Sequence, residues 1–71
     1  MNRLYQAALA HFEAKKSEAI ATLEVYFNKP VGIGEHSKLL DEITKWTDTL
    51  AMAHDGIEGL NRYFNANGQP K

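Results

Sequence analysis

The side chains able to do chemistry are few in this chain, and their spacing decides what they can do together. Its histidines are His11, His36 and His54, and it has no cysteine. His54 and Glu58 stand four residues apart, one turn on a helix, which makes half of a divalent-metal site. A functional site needs a third or fourth ligand, and none converges from the spacing. The Glu-x-x-His pattern that carries di-iron chemistry in helical bundles is missing. No serine, cysteine, histidine and carboxylate fall in an order that would build a nucleophilic set. Gly32-Ile33-Gly34-Glu35-His36-Ser37 has the glycines of a phosphate-binding loop. It lacks the third glycine of the dinucleotide fingerprint and the Gly-Lys-Ser/Thr of the P-loop, and Glu35 would repel an anion. The segment predicts a tight helix-to-helix connection, with Gly32, Gly34, Glu35 and His36 as the loop residues placed to touch a partner. Catalytic, cofactor and metal sites are therefore not expected, and the chain reads as a non-enzyme.

Composition narrows the classes further. The chain has 71 residues, with 8 basic and 9 acidic side chains and a net charge of −1. The charges are interspersed, so there is no basic block to neutralise phosphates, and nucleic acid is not an expected partner. No apolar run approaches the ~20 residues of a membrane span. The N-terminal residues carry no signal-peptide core. A cytoplasmic location is the expectation, in keeping with a cysteine-free chain.

The elements follow from breakers and periodicity. Residues 2–27 hold no glycine or proline and are rich in Ala, Leu, Glu and Lys, which favours a helix. Pro30, Gly32 and Gly34 then interrupt the chain over a loop at 28–37. Ser37 is a candidate N-cap for a second helix at about 38–64, and 65–71 reads as a frayed tail. In the second stretch Leu39, Ile43, Trp46, Leu50, Ala53, Ile57, Leu60 and Phe64 are spaced alternately four and three apart, a heptad seam. The first repeats it with Tyr5, Leu9, Phe12, Lys16, Ala19, Leu23 and Tyr26. Lys16 is the charged exception, its methylenes expected to pack on Leu50 with the ammonium in water.

Folding the chain at its loop pairs residues whose numbers sum to about 65, the geometry of antiparallel neighbours. Ala19 then falls opposite Trp46 and Phe12 opposite Ala53, so each large ring meets a small residue, as close packing requires. The fold class is thus all-α: an antiparallel, coiled-coil-like two-helix hairpin forming a single domain over 1–71. Gly56 and Gly59 sit within the second helix, each costing ~1 kcal/mol relative to Ala. A continuous helix is expected there, ahead of a break after Asp55-Gly56 or a close approach at the glycines. Two helices leave Leu4, Ala8, Ile20, Val25, Phe27 and Leu40 beside the seam. Leu4, Ala8, Ile20, Phe27 and Leu40 are taken as an oligomer interface, and two hairpins pairing into a four-helix bundle, a homodimer, would cover it.

The stretch from Tyr26 to Ser37, Tyr26-Phe27-Asn28-Lys29-Pro30-Val31-Gly32-Ile33-Gly34-Glu35-His36-Ser37, resembles short helical-hairpin proteins of tailed, T4-like bacteriophages of marine cyanobacteria. There a similar Asn-x-Pro-Val-Gly-Ile-Gly-Glu-His-Ser segment precedes an acidic, apolar-periodic helix, as Leu39-Leu40-Asp41-Glu42-Ile43 does here. The resemblance covers the loop and its flanking turns. It implies a phage source and an infected cell's cytoplasm as the site of action, and it carries no catalytic residues across. The leading expectation is a small helical interaction or accessory protein, with a second copy or a host or phage protein as partner. A nucleic-acid-associated accessory protein comes next, then a metal-binding helical-bundle enzyme with ligands from two protomers.

Overall fold

The computed structural model describes residues 2–28 and 36–71, with the side chains of the last group described from Lys38 onward. Helix α1 runs Arg3–Asn28 and helix α2 runs His36–Tyr63. They pack side by side along their length as an antiparallel hairpin 48 Å long and 15 Å across. The length follows from the helices, since 28 residues at a rise of ~1.5 Å span about 42 Å.

The seam is where burial concentrates. Ala19, Leu23 and Ala53 are buried, and Tyr5, Leu9, Phe12, Lys16 and Tyr26 on α1 are half-buried, as are Leu39, Ile43, Trp46, Leu50, Ile57 and Leu60 on α2. Lys16 therefore occupies its seam position as the heptad spacing predicts. Most neighbouring positions on the two helices are exposed, so the core is one residue deep.

Side-chain contacts across the seam run slightly ahead of a sum of 65. The Tyr5 hydroxyl donates to Asn61 Oδ1 at 3.0 Å and the Tyr26 hydroxyl to Glu42 Oε2 at 3.3 Å, while Phe12 lies against Gly56. The three pairs sum to 66, 68 and 68, one to three more than the expected 65. Side chains on a helix lean toward its N-terminus, so a contact point is filled by a residue about one position further along each strand of the hairpin. Phe12 is consequently set against Gly56 as well as toward Ala53.

Helix α2 is unbroken through Gly56 and Gly59, the first of the alternatives weighed. Gly56 also makes a close approach: a Cβ placed there would stand 2.9 Å from Cγ, Cδ1 and Cε1 of Phe12, whereas one at Gly59 would meet nothing within 4 Å. Glycine at 56 is thus a packing requirement, and glycine at 59 is not. Because α2 begins at His36, Ser37 falls inside its first turn and is not the cap. Four threonines sit in the helices by turning their hydroxyls onto the carbonyl one turn back, for example Thr22 on Glu18 at 2.8 Å and Thr47 on Ile43 at 2.7 Å.

The C-terminal tail, expected to fray, is folded back. Asn65 organises it: its side-chain oxygen accepts the amides of Asn67 and Gln69, both at 3.0 Å, and its own amide donates to the Gln69 carbonyl at 2.9 Å. Gly68 closes the turn with φ of +76°, a conformation L-residues with a side chain disfavour. The Lys71 amide then donates to the Tyr63 carbonyl at 2.9 Å, and its ammonium to the Asn61 carbonyl at 2.6 Å. On the other side of the clasp, Asn2 caps α1 by accepting the Tyr5 amide at 3.0 Å while its own amide donates to the Ala66 carbonyl at 3.3 Å. An asparagine able to satisfy several backbone donors at once turns a polar tail into an ordered turn.

Candidate interaction surface

The seven-residue period places the predicted interface residues on two flanks of the hairpin, not one. Leu4 and Ala8 each precede a seam residue, Tyr5 and Leu9; Ile20 and Phe27 each follow one, Ala19 and Tyr26. At 100° per residue these steps rotate in opposite senses away from the seam. Leu4 and Ala8 lie with Asn2, Leu60, Phe64 and Gly68 around a shallow cleft at the end where the termini meet. Ile20 and Phe27 lie on the other flank toward the connecting segment, and Leu40, which follows Leu39, faces the same way in an antiparallel pair. A linear list of apolar positions beside a seam does not distinguish the side before it from the side after it, which is why one stripe was expected.

The partner-contact residues proposed in the loop, Gly32, Gly34 and Glu35, lie outside the described residues. His36 opens α2. His11 and His54 are both exposed. Among the described residues no group of three His, Asp or Glu side chains is disposed to hold a metal. No described helix is long and apolar enough to cross a membrane.

A cleft of about 260 Å³ lies on the flank shared by Leu4 and Ala8, midway along the hairpin, lined by His11, Phe12, Lys15, Thr49, Met52 and Ala53. Its floor is the ring of Phe12, met edge-on by His11 at 5.2 Å between centroids, and Met52 stands exposed at its rim. Lys15 is held by Glu18 of its own helix at 3.6 Å. The cleft offers one apolar ring and a cation, and no pair of groups placed to move a proton. Lys45 lies over the Trp46 ring at 5.6 Å and Arg62 over the Tyr63 ring at 5.8 Å, cation–π contacts of modest worth at an exposed site.

Partial burial, and next the charge of Glu42 and the hydrogen bond to it, push the Tyr26 hydroxyl above its ordinary 10.0, while a hydrogen bond with Trp46 works the other way. The effect is to keep Tyr26 neutral and donating, which makes it a structural link between the helices, not an acid or base near neutral pH.

The spacing also holds a second line of positions on α1, offset from the seam. On α1, Ala7, Ala10, Ala14, Ser17 and Ala21 recur three and four apart on the side away from α2, and all are exposed. The same spacing on the outward side of α2 gives Asp41, Thr44, Asp48, Ala51, Asp55, Glu58 and Arg62, all exposed. The outward side of α2 carries charge along its length, while that of α1 carries it at the ends, with Arg3 and Glu24. The signal was available as a low-polarity heptad offset from the main seam.

Comparison with protein-family models, with curated proteins and with solved structures finds no match.

Proposed function

We propose that the chain is a non-enzymatic interaction protein that works as part of a larger helical assembly, in the first place with a second copy of itself. The observation that carries this is how little the hairpin covers of itself. Its accessible surface is 5408 Å², against about 4,450 Å² for a compact folded chain of this mass. Its radius of gyration is 15.6 Å, against about 11 Å for a compact domain of this length. A helical layer one residue deep recovers too little apolar burial to offset the entropy of ordering two long helices, and small domains without disulfides or metals commonly make up the difference by association. The likeness of the connecting segment to hairpin proteins of tailed phages supports placing the role in an infected cell's cytoplasm, with host or phage proteins as further partners.

Size-exclusion chromatography with light scattering tests the self-association. At micromolar concentration the expected mass is twice the 8.0 kDa of the chain, with helicity lost on dilution as the copies separate. A fully helical monomer that keeps its helicity at nanomolar concentration would sink the proposal.

A further inference from the structure

We propose that Asn67-Gly68, in the C-terminal clasp, is a self-modification site: the Asn67 side-chain amide is lost through a succinimide when the clasp opens, and the isoaspartyl product then keeps the clasp from closing. The site needs only a single chain, so it stands whether or not two copies associate.

An asparagine directly ahead of a glycine carries both partners of the reaction. The backbone nitrogen of Gly68 attacks Cγ of Asn67 and closes a five-membered ring. The bond from Cγ to the side-chain nitrogen breaks, and that nitrogen leaves as ammonia with the proton that the Gly68 amide gives up. Water then adds to one of the two ring carbonyls and opens the ring, to aspartate in one direction and to isoaspartate in the other. Ammonia goes out and water comes in, with nothing oxidised or reduced. Attack within one molecule has the advantage of proximity, and glycine has no Cβ to crowd the attacking nitrogen.

The structure separates Asn67 from the other asparagines. Asn2, Asn28, Asn61 and Asn65 each hold a hydrogen bond through the side chain. Asn67 is exposed, and among the described residues its side chain makes none. Its carboxamide is therefore not fixed, and the closed clasp restrains the nucleophile instead. The Gly68 amide donates to the Asn65 carbonyl at 2.9 Å, and the Asn2 side chain packs on Gly68, its Cγ 3.2 Å from where a Cβ would stand. A hydrogen bond made by the protonated amide opposes loss of the proton that attack requires. Opening of the clasp removes that restraint, and hydrogen bonds among exposed residues at a chain end open far more often than packed helices. Asp55-Gly56 has the same neighbour, but Gly56 lies within α2 under the Phe12 ring, where the helical ladder holds its amide.

The two products act differently on the clasp. Asn65 takes the amides of Asn67 and Gln69 on its side-chain oxygen and that of Gly68 on its carbonyl. Isoaspartate at 67 runs the chain through Cβ and adds a methylene between the amides of 67 and 68, so the three donors no longer match the two acceptors of Asn65. Aspartate at 67 leaves the backbone unchanged at an exposed position, and the clasp closes again.

The test follows the residue 67 peptide by chromatography and mass spectrometry during incubation of the full chain at neutral pH, with Asn67→Asp as the aspartate standard. Asn65→Ala, which removes the acceptor of two clasp amides and touches no seam residue, is expected to convert Asn67 about tenfold faster than the unmodified chain, toward the rate in unfolding urea. Purified isoaspartyl chain is expected to exchange the amides of Asn2 and Lys71 about tenfold faster than Asn67→Asp, with α1 and α2 otherwise protected. No conversion in urea would overturn the site itself. Conversion as fast in the unmodified chain as in Asn65→Ala and in urea would overturn control by the clasp. Equal exchange in the isoaspartyl chain and Asn67→Asp would overturn the claim that the product holds the clasp open.

Discussion

Two glycines three residues apart on one helix should respond to alanine in opposite directions. In isolation either substitution would stabilise α2 by about 1 kcal/mol, since alanine is the better helix former by that amount. At Gly59 the new methyl meets nothing within 4 Å, so the full gain is expected. At Gly56 it would stand 2.9 Å from three atoms of the Phe12 ring, Cγ among them. Cγ is bonded to Cβ and cannot swing clear as the tip of a long side chain would, and the edge of His11 backs the ring. Overpacking of this kind costs about 1–3 kcal/mol, which exceeds the propensity gain and leaves a net loss of about 1 kcal/mol. The two variants should therefore differ by about 2 kcal/mol, and for a domain of this size each kcal/mol moves Tm by about 4–8 °C. Thermal unfolding followed by circular dichroism at a single protomer concentration reads the difference; the concentration is held fixed because association itself shifts Tm. In a Phe12→Ala background, where neither ring nor Cγ opposes the methyl, Gly56→Ala should turn stabilising. If Gly56→Ala raises Tm as much as Gly59→Ala does, or if the Phe12→Ala background makes no difference, the packing of Phe12 into the glycine notch is wrong.

The terminal clasp and the inter-helix hydrogen bond give two further tests. Gly68→Ala places a side chain at φ of +76° with its Cβ 3.2 Å from Asn2, and a loss of about 1–2 kcal/mol in the clasp is expected. It should appear as roughly tenfold faster amide exchange at Asn2 and Lys71 with α1 and α2 otherwise protected; unchanged exchange would mean that the tail is not held by this turn. Because the Tyr26 hydroxyl is raised above 10.0 in the fold, its contribution to stability is present below that value and lost as pH rises through the folded one. Spectrophotometric titration should show Tyr26 ionising above 10.0 and returning toward it in Glu42→Gln, and a Tyr26 that Glu42→Gln leaves unmoved would contradict the link.

The seam of the hairpin is legible in the amino-acid sequence because a helix repeats its faces at 3.6 residues, so a four-three spacing of apolar residues names the buried side whatever it packs against. Pro30, Gly32 and Gly34 mark the interruption between the helices for the equally local reason that they oppose helical backbone. These features, with the lack of cysteine and of any ligand set, settled the all-α hairpin and left no converging metal or nucleophilic set. What they did not reach depends on two segments at once. Phe12 belongs against Gly56 as well as toward Ala53 because side chains on both helices lean toward their own N-termini, a shift visible only with the helices side by side. The tail around Asn65 is ordered because Asn2, at the far end of the chain, meets Ala66 and Gly68 across the hairpin. Leu40 joins Ile20 and Phe27, and not Leu4 and Ala8, because the two helices run antiparallel, so that the residue following the seam falls on the same flank of both. Periodicity is a property of one helix and can be counted; register, clasp and the grouping of exposed side chains are properties of a pair, and only the packed hairpin decides them.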